Sequence, residues 1–335
     1  MTKSEEKGCR LCPRACGVNR EKGQKGICGQ TQVLKAARAD LHMWEEPCIS
    51  GSRGSGTIFF SGCNLHCVFC QNREIASGNT GIELSVERLA DICLELQEKG
   101  ANNINLVTGF HYVPQIIQAL AKARSRGLVL PVLYNSSGYE SPETLRMLAG
   151  YIDIYLPDFK YADNGLGLKY SHVPDYFERA SAALEEMVRQ VGEMRFCTED
   201  ALDRLVQEGK EKASIQEMSV TAYQKRSENG ESLLMTRGVI VRHLLLPGMI
   251  EDSKKVIKYL LETYGEQIFI SMMNQYTPLP HVKEFPELMQ RVSEKQYEEL
   301  VAYALELGIE NGFVQEGDVA SESFIPAFDG KGILK

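Results

Sequence analysis

Residues 56–72 read GTIFFSGCNLHCVFCQN. The first five are short, apolar and rich in β-branched and aromatic side chains, the composition of a buried strand. Gly62 breaks that strand into a loop presenting Cys63, Cys67 and Cys70 in the spacing C-x3-C-x2-C. Three thiolates so close together can hold three irons of a four-iron cluster and leave the fourth without a protein ligand. An open coordination site of that kind allows chemistry at the metal as well as electron transfer. A zinc knuckle completed by His66 would draw on the same loop.

Length and composition bound the reading. The chain has 335 residues, enough for one large α/β domain with attachments or for two ordinary domains. Hydrophobic residues make up 43% and charged residues 24%, as in a soluble globular protein. No apolar run approaches the ~20 residues of a membrane helix, and the start, MTKSEEKG, is polar, so a cytoplasmic enzyme without a membrane partner is expected. The net charge of −8 argues against a broad nucleic-acid footprint. Of ten cysteines, eight precede residue 71, a pattern of metal ligation in a reducing compartment rather than of a disulfide framework.

Residues 9–29, CRLCPRACGVNREKGQKGICG, hold a second group, Cys9, Cys12, Cys16 and Cys28. This segment has many turn residues and too few apolar ones to fold by burial alone, so a bound metal is expected to supply the missing stability. Four cysteines suit zinc or an iron–sulfur cluster, and a zinc site would bring the sulfurs within about 4 Å of one another. Cys48, alone in the Gly/Ser-rich stretch EEPCISGSRGSG, reads as a linker residue and no ligand. Residues 1–55 are thus expected to form a cysteine-rich extension and linker, and residues 56–335 the main domain.

Beyond the loop, strand and helix alternate. Ser85 caps a helix to about Lys99; a strand spans Asn103–Val107; helices follow at Pro114–Arg126, after Ser141 and at Pro174–Val191, with strands at Val129–Tyr134 and Tyr151–Phe159 between them. The rhythm breaks between Lys160 and Gly238, where the charged, weakly amphipathic span 197–228 reads as a solvated helical insertion. It resumes with a strand at Val239–Leu246, a helix at Asp252–Tyr264, a strand at Ile268–Met273, a helix opened by the Ser293/Gln296 capping box, and a last apolar stretch at Gly312–Gln315. Six or seven βα units with right-handed crossovers imply a parallel sheet. Alternation alone fits a barrel or a doubly wound sheet equally.

The cysteine loop, with Phe69 before its third cysteine and Gln71-Asn72 after it, resembles the cluster loop of radical S-adenosylmethionine (SAM) enzymes, most narrowly the activating enzyme of pyruvate formate-lyase and its uncharacterised homologues. The resemblance implies a partial (βα)6 barrel, a 4Fe-4S cluster on Cys63, Cys67 and Cys70, and reductive cleavage of SAM to a radical that abstracts hydrogen from a substrate. In the activating enzymes that substrate is a backbone glycine of a partner enzyme, and the electron comes from a donor such as flavodoxin or ferredoxin. The second strand ends Thr108-Gly109-Phe110-His111 where the family has Gly-Gly-Glu; with no glutamate there, Thr108 and the carbonyls around Gly109 are the acceptors left for the SAM ammonium, and His111 reads as a loop residue facing water. Asn135 and Ser136 stand where the third strand contributes to the SAM carboxylate, in the activating enzyme through a monovalent cation, and Asp158 and Lys160 match its Asp-Leu-Lys. Arg242 occupies the place of an arginine near SAM, with Asp158 as its expected partner; His243 is expected to pack on the opposite face of that strand. An electron-transfer protein would use both cysteine groups as ordinary clusters and have no need of the Asp158, Lys160 and Arg242 set, and a zinc-stabilised interaction module would have no SAM chemistry at all.

Overall fold

The structure is a computed structural model that describes residues 8–209, 214–315 and 326–334. Ten strands form one connected sheet system: β1 (Lys35–His42), β2 (Ser55–Phe60), β3 (Ile82–Glu83), β4 (Ile104–Val107), β5 (Val132–Ser136), β6 (Ile154–Pro157), β7 (Arg195–Thr198), β8 (Leu233–Leu244), β9 (Phe269–Met273) and β10 (Gly312–Val314). Seven of them, in the order β2-β4-β5-β6-β8-β9-β10, pair in parallel. Parallel strands are covered on both faces, so each reads as a nearly continuous apolar run. Ile58, Leu106, Tyr134, Tyr155, Val241 and Met272 face the surrounding helices, among them Val86–Glu98, Val113–Ser125, Tyr176–Val191 and Ile250–Tyr264. Leu133, Leu156, Ile240 and Phe269 face inward. Phe59 on β2 and Phe313 on β10 border the same cavity although five strands separate theirs in the sheet, so the sheet is curled into a partial barrel, as the cluster loop implied. Among the described residues no helix is long and apolar enough to cross a membrane.

Local signals placed the helices well. Ser85 accepts the Arg88 amide, and Ser293 and Gln296 form the reciprocal capping box. The helix Asn164–Ser171, opened by Asp163 accepting from the Gly165 amide, was not foreseen: NGLGLKYS carries two glycines and little amphipathic pattern.

Two expectations change. The presumed linker is built into the domain: β1 runs antiparallel to β2 and extends the sheet, and Cys48 and Ile49, in the short helix Pro47–Ser50, are buried at the base of the barrel. The span 197–228 is not only a solvated excursion. β7 pairs antiparallel with the first half of β8, which begins at Leu233 rather than near Gly238, and Phe196 and Tyr223 stack at 4.0 Å between centroids against Phe269. With Cys48 and Ile49 they plug the barrel base, while Leu202 and Leu205 of the span are buried in the outer layer. Residues 210–213 of it lie outside the described residues.

A buried charge cluster joins this base to the barrel wall. Arg242, pointing inward from β8, donates from Nε to Glu46 Oε1 at 2.9 Å and from Nη2 to Glu46 Oε2 at 2.7 Å, and it also pairs with Glu45. Asp158 is therefore not its partner; it meets Arg242 only along the backbone, where Phe159 N–H donates to the Arg242 carbonyl at 2.7 Å. Glu45 is further held by Asn105 Nδ2 at 2.8 Å. The linker reading hid these two carboxylates. Burial works against ionisation of Glu46, but the adjoining guanidinium outweighs it and holds the carboxyl below its usual range. A group depressed in this way adds stability above the unfolded glutamate pKa of about 4.3 and loses it as the pH falls through the lower folded value. Arg242→Met strands both carboxylates and should cost about 3–5 kcal/mol at neutral pH. In the variant the stranded, buried Glu46 carboxyl titrates above its unfolded value, so the gap to the wild type should narrow on acidification. Urea unfolding at neutral and mildly acidic pH checks this; a loss independent of pH would show that packing, not charge, is what Arg242 supplies.

Candidate active site

The carboxyl ends of the parallel strands surround a cavity of about 460 Å³, within the range of small-molecule sites. Cys63, Cys67 and Cys70 border it, with Thr108 after β4, Asn135 and Ser136 at the end of β5, Asp158 and Lys160 after β6, and Arg242 on β8. Trp44, Glu45, Glu46, Phe59, Val107, Met273 and Gln275 complete much of the wall. Of these, Trp44, Glu45 and Glu46 were missed from sequence, because only the fold brings the β1–β2 connection to the cavity.

The loop takes its shape from the N-terminal cysteine segment. Gly62 has φ 95°, and a Cβ there would come within 2.5 Å of the Cys28 carbonyl oxygen, so conformation and close approach both demand glycine. Arg14 Nε donates to the Asn64 carbonyl at 2.8 Å, His66 Nε2 bonds the Ile27 carbonyl at 2.8 Å, and Gln30 Nε2 donates to the Gly78 carbonyl at 2.9 Å. His66 is thereby engaged as a clamp on the N-terminal segment, not as a fourth ligand in the loop. His111, expected in water, is buried, with Nε2 bonded to the Ser61 carbonyl at 2.7 Å; burial, then the Arg20 charge, push its pKa down to about 3.

The three thiols meet the donor chemistry of a cluster. Burial raises the pKa of Cys63, takes Cys67 up to about 11, and with the neighbouring charges of Cys67 and Cys63 takes Cys70 up to about 12. Without a cation they hold their protons; cationic irons would supply the charge that favours thiolate. Among the described residues no group of three or more His, Cys, Asp or Glu side chains is drawn around a single point to hold one ion. A four-iron cluster does not require that, since each thiolate takes a separate iron and the sulfurs stand apart. A single zinc at Cys9, Cys12, Cys16 and Cys28 does require it, and those thiols are not so gathered. Cys16 and Cys28 do flank one side of Gly26, their sulfurs 3.2 and 3.5 Å from where its Cβ would stand, while burial pushes Cys12 up to about 12 and raises Cys28.

Across the cavity, Lys160 Nζ donates to Asp158 Oδ2 at 2.6 Å. Burial favours the neutral amine, but the Asp158 carboxylate overrides it and keeps Lys160 protonated; that charge is felt at all three cluster cysteines. Thr108 has φ 57°, an uncommon conformation for a β-branched residue, and is held there by donating its N–H to the Asn135 carbonyl at 2.9 Å. All four non-glycine residues of positive φ among the described residues, Ala15, His66, Thr108 and His172, sit in the N-terminal segment, the cluster loop or positions adjoining them or the cavity, as strain at functional sites commonly does. Gly109 does not line the cavity: its Cβ position faces Ile116 and Phe60, and its carbonyl accepts the Tyr112 N–H. The Ser136 hydroxyl accepts the Gly138 N–H at 3.2 Å, which leaves it a supporting part of the turn. His243 is buried, as expected, with Nδ1 on the Phe159 carbonyl at 2.8 Å.

Residues 57–192 match the family model of the radical SAM superfamily. The chain is 27% identical over 314 residues to the uncharacterised protein MJ0674 of Methanocaldococcus jannaschii, covering 92% of this chain and 76% of that protein. Among solved structures it is similar to Streptococcus suis SuiB bound to S-adenosylmethionine (11% identity, TM-score 0.44, 76% of this chain and 48% of that one) and to HydG, a maturase of the [FeFe]-hydrogenase (13%, 0.42, 76% and 50%). The chain spans about half the length of these two structures, and likenesses this distant bear on neither substrate nor partner. Residues 57–192, with the three-cysteine loop at the mouth of the curled parallel sheet, are the part of the chain that matches the radical SAM superfamily.

Proposed function

We propose that the chain is a radical SAM enzyme whose cavity holds SAM between the strand ends and a 4Fe-4S cluster on Cys63, Cys67 and Cys70. The observation that carries this reading is that the three half-buried thiols and the Asp158–Lys160 pair border one cavity. When bound, the cluster supplies an electron and SAM the carbon–sulfur bond that the electron breaks, chemistry that removes a hydrogen atom from a substrate. Lys160 offers a fixed positive charge for the SAM carboxylate, and Asp158 a negative one for its cationic groups. The Thr108 hydroxyl, which borders the cavity while Gly109 does not, offers an acceptor to the ammonium in place of the absent glutamate. Phe59, Val107 and Met273 exclude water from the reacting groups.

Finer readings belong to the same proposal. The cluster-loop resemblance points to a backbone glycine of a partner enzyme as hydrogen donor, and the EPR signal of a glycyl radical in such a partner tests it. A monovalent cation near Asn135 and Asp158, and a flavodoxin or ferredoxin donor, are tested by potassium dependence and by replacing dithionite with either protein. Cys9, Cys12, Cys16 and Cys28 are proposed as a second thiolate set, for zinc or an iron–sulfur cluster, that closes when loaded. Its support is the placement of Cys16 and Cys28 about Gly26, and metal analysis of Cys28→Ser against the wild type decides it.

After anaerobic reconstitution the wild type should cleave SAM to methionine under dithionite, whereas Cys63→Ala, Cys67→Ala and Cys70→Ala should each abolish cleavage; one such variant cleaving at a comparable rate would remove the cluster from its assigned cysteines. Thr108→Val, nearly isosteric but without the acceptor, should bind SAM several-fold more weakly with its iron content intact. Unchanged affinity would give the ammonium another partner. Thr108→Gly releases the left-handed strain and should raise unfolding stability by about 1 kcal/mol. A loss of stability there would mean that the threonine side chain contributes more by packing than its backbone costs.

A further inference from the structure

The helix Asn164–Ser171 ends against the cluster loop, and its last residue is 0% exposed. The Ser171 hydroxyl lies 2.9 Å from Cys67 Sγ and 2.8 Å from the Tyr161 hydroxyl, itself buried. Free thiol and hydroxyls could share protons in either order along this chain. A cluster-bound Cys67 has no proton, so it can only accept; Ser171 must then donate its single proton to sulfur and Tyr161 must donate to Ser171. Ligation thereby fixes the direction of the whole chain.

The hydroxyl has little freedom to swing away. Val68 N–H donates to the Tyr170 carbonyl at 2.8 Å, tying the loop to the helix. Arg14 donates from Nη1 to the His172 carbonyl at 2.6 Å, from Nη2 to the Ser171 carbonyl at 3.2 Å and from Nε to the Asn64 carbonyl at 2.8 Å, so one guanidinium pins both sides of the contact. Packing alone would be served by alanine at position 171. A paired hydroxyl directed at a ligating sulfur does more.

We propose that Ser171, oriented by Tyr161, is the hydrogen-bond donor that raises the reduction potential of the cluster on Cys63, Cys67 and Cys70. The proposal rests on the reading that these cysteines carry a cluster. Adding one electron increases the negative charge on irons and sulfurs by one, with no bond made or broken and no proton taken up; dithionite or a low-potential protein donor is oxidised in exchange. A donated O–H stabilises the more negative state more than the oxidised one, so it raises the potential, and hydrogen bonds to cluster sulfurs are a recognised lever on that quantity.

The test is the midpoint potential of reconstituted protein, followed by EPR of the reduced cluster. Ser171→Ala should keep its iron and shift the potential negative, Tyr161→Phe should shift it in the same direction by less, and Ser171→Thr, which retains the hydroxyl, should return it toward the wild type. Wild-type potential in iron-replete Ser171→Ala would overturn the proposal. Should that variant lose its iron, Tyr161→Phe decides by the same measurement, and an unshifted potential there overturns it. Failure of the cluster reading looks different: the wild type would bind no iron, or Cys67→Ala would bind it undiminished.

Discussion

The backbone at Gly62 is the constraint on which the site depends. There β2 must stop, turn through a left-handed conformation and leave room for the Cys28 carbonyl on its other side. A side chain at that point would either return the chain to extended geometry or push the N-terminal segment away. With glycine, the loop is gripped between sheet and segment, and its three sulfurs open onto the carboxyl ends of the strands, where parallel α/β sheets gather their ligands.

The grip is made of polar contacts from several directions. Arg14, His66 and Gln30 join the N-terminal segment to the loop and to its return, and the Arg20 guanidinium meets the His111 carbonyl beyond it. Each contact satisfies a backbone carbonyl that would otherwise be stranded near the site. Ordering this segment orders the loop as well, because the segment and the loop share these bonds.

Two ionic groups divide the cavity between them. Asp158 and Lys160 form a neutral pair beside the thiols, while Arg242 serves two carboxylates, Glu45 and Glu46, deeper in the barrel. The guanidinium is thus committed to the fold. The Asp158–Lys160 pair, with a single hydrogen bond between its members, keeps donor and acceptor capacity for a ligand.

Sequence alone determined the parts of this protein that are local. The C-x3-C-x2-C spacing, the helix caps at Ser85 and Ser293, the alternation of strand and helix and the polar strand ends at Thr108, Asn135, Asp158 and Lys160 are patterns within a few residues, set by propensity, hydrogen bonding and backbone sterics. Tertiary structure decided what depends on distant partners. It matched Arg242 with Glu45 and Glu46, about two hundred residues away along the chain, rather than with Asp158, since a buried guanidinium pairs with whichever carboxylates the curl of the sheet brings to its tip. It drew β1 and Cys48 out of an apparent linker into the sheet and the barrel base, because the free edge of β2 and an apolar surface at the barrel base needed covering. It turned Gly109 away from the cavity and buried His111, choices made by the turn after β4. And it set Ser171, 104 residues beyond Cys67, against that sulfur, a contact no spacing rule encodes because it exists only once the helix Asn164–Ser171 has docked on the loop.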